Sequence, residues 1–203
     1  MAGSTPFLPS TSLPMPRPKS DYFFFWRPQD PNGWAGQWYR SPFTAPLSAA
    51  VPHASSTLHT FPTAEHWIMA CKAALFSDTD TLELILEETT NPDTHPRGIK
   101  KLGRMVSPFD QDTWVEHREE IAYHGNKFKF GQNEELKEAL LETGDLILVE
   151  ASPLDRIWGI GYKEAKAMEN MRDWGLNLLG IALMRVREEF SKERRDTETG
   201  TKL

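Results

Sequence analysis

The stretch Phe61-Pro62-Thr63-Ala64-Glu65-His66-Trp67-Ile68-Met69-Ala70-Cys71-Lys72 marks the point where the chain changes character. Before it lie aromatic, Pro-rich and Ser-rich segments; after it the apolar residues recur at helical spacing. Thr63 follows a proline and opens an apolar run, which reads as the N-cap of a helix predicted from Ala64 to about Phe76. Glu65 and Lys72 stand seven residues apart, with Met69 between them. Seven residues make about two turns, so both side chains point to nearly the same side. Charges on a helix are usually a solvated face, and the pair alone permits that reading. It also permits a carboxylate and an amine directed into a pocket, where a desolvated lysine becomes a nucleophile.

Working outward, helices are predicted from Asp78 or Thr79 to Thr89, from Gly98 to Val106 and from Gln111 to about Phe128. In the last of these Trp114, Val115, Ile121 and Phe128 are candidate core contacts. A helix from Asn133 to Thr143 turns Leu136, Leu140 and Leu141 inward, with Gly144 suited to the position after its end. Leu146–Val149 is too short for a helix and reads as a buried strand. A loop over 152–163 precedes a final helix, about Leu176 to Phe190, with Leu179, Leu183, Val186 and Phe190 on one side. Upstream, Tyr22–Trp26 reads as a strand, Arg27–Gly33 as a turn and Trp34–Phe43 as a returning strand, together a hairpin. Residues 44–60 read as a surface loop or insertion.

The expected fold is mainly α, a multihelical single domain with a few short β-strands. It spans 21–192, between a disordered Pro-rich tail at 1–20 and a charged tail at 193–203. Five of the fifteen prolines fall in those first twenty residues. They lack the apolar core of a secretory signal, so the expected location is cytoplasmic or nuclear.

At 203 residues the chain is long enough to bury roughly 70% of its unfolded surface without staples. No apolar run approaches the roughly 18 residues of a membrane span. The single cysteine, Cys71, excludes an intramolecular disulfide and points to a reducing compartment. A net charge of −6 argues against a broad phosphate-tracking surface while leaving room for a local basic pocket. Seven tryptophans are more than an ordinary core requires, so some can serve as platforms for a flat aromatic group. There is no glycine-rich phosphate loop, no zinc-protease histidine spacing and no serine-nucleophile elbow. No cofactor and no metal is expected.

Two further segments carry chemistry. Val149 to Gly161 is a short strand feeding a loop with Glu150, Asp155, Trp158, Gly159 and Gly161. Its glycines allow close backbone approach and its Trp can stack, though a tight turn over a core Trp fits equally. Gly98 to Arg104 carries Lys100, Lys101 and Arg104, of which Arg104 can clamp a phosphate, or all three form a solvated basic face.

Together these segments resemble the NADAR family, also called YbiA-like. The resemblance rests on Pro62-Thr63-Ala64-Glu65-His66 with Lys72, Gly103-Arg104, Trp114 and Lys127-Phe128. It continues through Leu148-Val149-Glu150, Asp155, Trp158-Gly159 and Gly175 to Gly180, with Asn177 between, then Leu183-Met184 and Arg187. Where the family has a Ser-Asn pair before an aromatic, this chain has Gly36-Gln37-Trp38. The resemblance implies an N-glycosidase. Family members either remove ADP-ribose from the exocyclic amino group of guanine in nucleic acid or destroy ribosylamino intermediates of riboflavin synthesis. Guanine in single-stranded nucleic acid or a nucleotide is the first-ranked substrate, with ADP-ribose as product; a non-catalytic reader of ADP-ribose is the alternative of another class. In this reading Lys72 is the nucleophile, Glu65 the proton shuttle, and Asp155 holds ribose hydroxyls or the leaving amine. Trp114 and Trp158 wall the pocket and Arg104 and Lys127 face phosphate. His66, Gly159 and Asn177 complete the ligand-binding set, with Lys127 as the second candidate nucleophile.

Overall fold

The structure, a computed structural model, describes residues 17–91 and 94–200. In chain order its elements are β1 (Tyr22–Phe25), β2 (Phe43–Pro46), β3 (Leu58–Phe61), α1 (Ala64–Leu75), α2 (Thr79–Thr89), α3 (Pro96–Gly103), α4 (Gln111–Gly131), α5 (Glu134–Glu142), β4 (Ile147–Glu150), α6 (Glu164–Ala167) and α7 (Leu178–Gly200). The fold is mainly helical with a few short strands, as the sequence pattern predicts. Residues 1–16 of the expected N-terminal tail lie outside the described residues. Its last part joins the domain: Lys19–Asp21 forms a 3-10 turn and Lys19 pairs with Glu164 at 2.7 Å.

Helix α1 is the centre of the molecule. Every residue from Ala64 to Cys71 is buried, Glu65 and His66 included. A helix enclosed on all sides has no solvated face, so Glu65 is not a surface acid. Thr63 occupies the N-cap with extended backbone, but its hydroxyl bonds His66 Nδ1 at 2.8 Å instead of a helix N–H. The free Glu65 N–H is satisfied from outside, by the Gln37 carbonyl at 3.1 Å.

Two glycines let neighbouring helices close on α1. A Cβ on Gly103 of α3 would lie 2.0 Å from the Met69 sulfur. A Cβ on Gly125 of α4 would lie 2.2 Å from Trp67 Cδ1. Trp67 is fully buried and its Nε1 donates to the Ile121 carbonyl at 2.8 Å, so the ring has no room to retreat. Gly125→Ala should therefore cost about 3 kcal/mol, the upper end for overpacking. For a chain of this size that lowers Tm by about 6–12 °C. A thermal melt of the variant at the wild-type Tm would disprove the close crossing.

The predicted hairpin of Tyr22–Trp26 with Trp34–Phe43 does not form. Instead β1 pairs in parallel with β4, Phe23 opposite Leu148 and Phe25 opposite Glu150. The turn explains why. Gly33–Ala35 closes a 3-10 turn, and Gly33 sits so close to the Arg27 and Pro28 carbonyls that the chain doubles back on itself. Trp34 then packs inward against Phe23 and Phe130 rather than extending along β1. Residues 44–60 are likewise no surface insertion. Strands β2 and β3 pair antiparallel, Phe43 opposite Phe61, and Ala45, Leu47 and Val51 are buried in the core around α1.

Three smaller expectations also change. Val115 is 40% exposed, while Ile121 of the same helix is fully buried. Helix α7 runs on through the charged C-terminal residues to Gly200, with Arg194 pairing to Glu138 of α5. Helix α6 and the 3-10 turn Met168–Asp173 fill what reads as loop, and Trp174 packs back on Tyr22 and Phe24.

Candidate active site

Three elements bring acids together. Glu65 opens α1, Glu150 ends β4, and Asp155 follows in the loop after β4. Helix α3 lays Lys100 among them, its Nζ 3.7 Å from Asp155 Oδ2. The indole N–H of Trp38 donates to the Glu65 carboxylate, and the Trp38 ring stands edge-on to His95, the N-cap of α3. Trp38 thus ties the start of α3 to the start of α1. The Gly36-Gln37-Trp38 segment, where the family pattern has other residues, supplies two contacts to Glu65: the Gln37 carbonyl and this indole.

The charges of the cluster act on one another. Burial pushes the Glu65 carboxyl up, and Asp155 adds to this, while Lys100, the Trp38 N–H and Arg104 oppose it. The Glu150 carboxyl is pushed up to about 8, first by burial and then by Asp155 and Glu65, against Lys100. Three carboxylates around one lysine in a desolvated place do not all stay ionised. Glu150 therefore keeps its proton near neutral pH.

Lys72 lies at the far end of the same helix, about 10 Å from Glu65 along the axis at 1.5 Å per residue. It is half-buried, and burial pushes its ammonium down from the usual lysine range. Its Nζ donates to the Gly103 carbonyl at 2.7 Å and lies 4.3 Å from the Phe109 ring centroid and 5.6 Å from that of Trp114. A hydrogen bond given to a carbonyl leaves the lone pair of a neutral amine free. Arg104 is exposed and close enough to Glu65 for its charge to act there. Glu65 and Lys72 thus lie on α1, Arg104 directly follows α3, Trp114 belongs to the first turn of α4, and Asp155 sits in the loop after β4.

Other sequence-predicted site residues serve the scaffold. Lys127 is committed to Glu189 of α7 at 2.6 Å, in a group with Tyr123. The neighbouring Lys129 is the one directed at the site: fully buried, it donates to the carbonyls of Trp34 and Gly36 at 2.7 and 2.9 Å, holding the segment that reaches Glu65. Both lysines lie in the run Lys127-Phe128-Lys129-Phe130, and only burial tells them apart. Asn177, in the left-handed region at φ 53°, spends its amide on β4, accepting from Glu150 N–H and donating to the Leu148 carbonyl. Gly159 lies against the Glu150 carbonyl, where a Cβ would stand at 2.6 Å. His66 is fully buried against Thr63, and burial together with Arg40 drives its imidazole down to about 4, so it is neutral. Trp158 is half-buried between two core clusters. Asp155 braces its own loop, accepting from the N–H groups of Ile157 and Trp158 through Oδ1, while Oδ2 faces Lys100.

The sequence reading named Glu150, Lys100 and Trp38 only as parts of longer segments and gave none of them a place in the candidate site. An acid ending an otherwise apolar strand was a usable signal for Glu150. Lys100 was legible only as part of a basic helix.

This arrangement has relatives. "N-glycosidase R617" of Acanthamoeba polyphaga mimivirus is 43% identical over 131 residues, 64% of this chain and 74% of that protein. "Riboflavin biosynthesis protein PYRR, chloroplastic" of Zea mays is 29% identical over 148 residues, 72% of this chain but 22% of that longer protein. The NMR structure of the E. coli protein YbiA superposes with a TM-score of 0.63 at 26% identity, covering 85% of this chain and 86% of that one. The model of the NADAR domain matches residues 24–191, which include the acid cluster, Lys72 and the elements that carry them. The chain belongs to the NADAR domain family.

Proposed function

We propose that the protein is an N-glycosidase that removes ADP-ribose from the exocyclic amino group of guanine in single-stranded nucleic acid or a nucleotide. The observation that carries this reading is the pairing, on one buried helix, of a desolvated lysine with a carboxylate set among further acids. A non-catalytic reader of ADP-ribose has no use for either. N-glycosidase activity is supported by relatives of that name.

The substrate carries an amine on C1 of a ribose, and such a glycosylamine opens to an imine. Lys72 attacks that carbon and displaces the amine, leaving a Schiff base that water hydrolyses. Glu65 shuttles protons for ring opening and for water. Asp155 and Arg104 position the ribose and phosphates, and Trp114 closes the pocket beside Lys72. The net charge of −6 suits an enzyme that grips one ADP-ribosyl group rather than a duplex. The single buried thiol of Cys71 supports action in the cytoplasm or nucleus.

A second reading, cleavage of ribosylamino-pyrimidine phosphates, is favoured by the maize relative. The test is incubation with a guanine-ADP-ribosylated oligonucleotide and, separately, a ribosylaminopyrimidine phosphate, each followed by mass analysis. Free ADP-ribose and unmodified oligonucleotide are expected from the first. Cleavage of the pyrimidine alone would transfer the activity to the second substrate. Binding of ADP-ribose with no cleavage of either would make the protein a reader.

A further inference from the structure

We propose that Glu150 delivers the proton to the amine nitrogen that leaves C1 of the ribosyl group. The inference rests on the N-glycosidase reading and gives a role to a residue that the motifs contain but leave without one.

The geometry holds Glu150 from several sides. Its backbone N–H donates to Asn177 Oδ1 at 3.0 Å, and its carbonyl accepts from Ile160 at 3.0 Å. Asn177 in turn clasps Leu148, the residue two before it. The main chain is therefore fixed, yet the side chain's Oε2 is buried and has no hydrogen-bond partner among the described residues. Buried polar atoms are almost always paired, so one left open at a cluster of acids marks a place for a ligand group. The charged groups around it are Asp155 from the following loop, Glu65 from α1 and Lys100 from α3. Burial and the two acids outweigh the lysine, so Glu150 carries its proton up to about pH 8. A neutral carboxyl has an O–H to give, and an amine bound to carbon leaves poorly without one.

The step balances. The C1–N bond breaks with its electron pair on nitrogen, and that nitrogen takes the proton from Glu150. Water then adds to the carbon left behind, whether as a Schiff base or directly, and its proton returns to the Glu150 carboxylate. Glu65 moves the proton of the exocyclic N–H to the ring oxygen as the ring opens and later relays the water's proton toward Glu150, which alone protonates the leaving amine.

The test compares Glu150→Gln with wild type in three measurements. The first is the pH profile of kcat/KM on the substrate that wild type cleaves. Wild type should lose activity as pH rises through about 8. The variant should be slower by about 10²-fold, the low end for a general acid, and should lack that alkaline limb. The second is thermal stability. A carboxyl raised above its ordinary 4.5 contributes stability that is complete below that value and is lost as pH rises through about 8. Glu150→Gln should therefore melt above wild type at pH 8, which checks the raised carboxyl, while the alkaline limb of the rate checks its catalytic use. The third is a carbon NMR titration of labelled glutamates, which needs no substrate. A carboxyl titrating near 8 in wild type and absent from the variant is expected. Wild-type rates in the variant, an unchanged alkaline limb, or no high-titrating carboxyl would each overturn the assignment. Wild type inert on guanine adducts but showing that carboxyl would overturn the substrate and leave Glu150 standing.

Discussion

Lys72→Arg protein is expected to bind ADP-ribose and to release no guanine. The guanidinium keeps the positive charge and reaches the same space, but it stays protonated at every accessible pH and cannot form a Schiff base. The wild-type amine differs because burial pulls its ammonium down and so raises the neutral fraction at neutral pH. Borohydride added during turnover should reduce the wild-type Schiff base and leave the ribosyl group on the peptide that contains Lys72. The arginine variant should trap nothing. Because Lys72 is only half-buried and donates one hydrogen bond to the Gly103 carbonyl, its replacement should leave the melting temperature within a few degrees of wild type. Loss of activity with no adduct in the wild type would favour direct attack of water, with Lys72 as an electrostatic partner of the phosphates. An adduct on Lys100 would place the nucleophile at the acid cluster instead.

The helical part of the fold was legible because its signals are local. Asp78 accepts from Thr81 N–H as an N-cap, and Gly144 takes a positive φ of 52° at the end of α5. Leu179, Leu183, Val186 and Phe190 recur at helical period and all are buried. Strand pairing is a different matter. Tyr22–Phe25 reads as a strand from its own residues, but its partner lies more than a hundred residues away at Ile147–Glu150. Nothing within the first forty residues carries that information, and the nearer aromatic run around Trp34 competes for the assignment. Residues 44–60 misled for another reason. Their Ser, Pro and Ala content is that of a loop, yet Phe43, Ala45 and Leu47 alternate inward, a period of two that composition conceals.

The candidate site was legible only where one helix carries it. Glu65 and Lys72 lie on α1, and helical geometry alone aligns them. What the sequence cannot convey is how separate elements converge. Lys100 reads as one of several cations on a basic helix until α3 is seen packed on Met69 through Gly103. Asn177 and Gly159 were expected to meet ligand and instead hold the main chain around Glu150. A residue shared by a family motif is as readily a brace as a contact, and only the direction of its hydrogen bonds separates the two. Lys127 and Lys129 illustrate the same limit, since they are adjacent in type and spacing but face α7 and the Gly36 segment respectively.

Glu65→Gln should lower kcat by about 10³-fold while leaving ADP-ribose binding intact, within the range for a lost general base. Glutamine preserves the shape and keeps an oxygen to accept from the Trp38 indole, so the tie to α3 survives. Stability should not fall. Glu65 is buried with its carboxyl raised, and a raised carboxyl gives stability that is lost as pH increases, so removing the ionisable group is neutral or favourable at pH 7. The activity loss is then catalytic. Its pH dependence separates Glu65 from a mere neighbour of the reaction. In wild type the acidic side carries protonation of both Glu65, displaced upward from 4.5, and Lys72, displaced downward from 10.5, and the alkaline limb marks loss of the Glu150 proton near 8. Because the two acids interact, their titrations belong to the pair. The Glu65 carboxylate holds Glu150 up, so a neutral glutamine at 65 should remove the Glu65 contribution to the acidic side, leave that of Lys72, and move the alkaline limb to lower pH. Wild-type turnover in Glu65→Gln would remove Glu65 from the chemistry. An alkaline limb that stays where it is would show that the two carboxyl groups do not share a site.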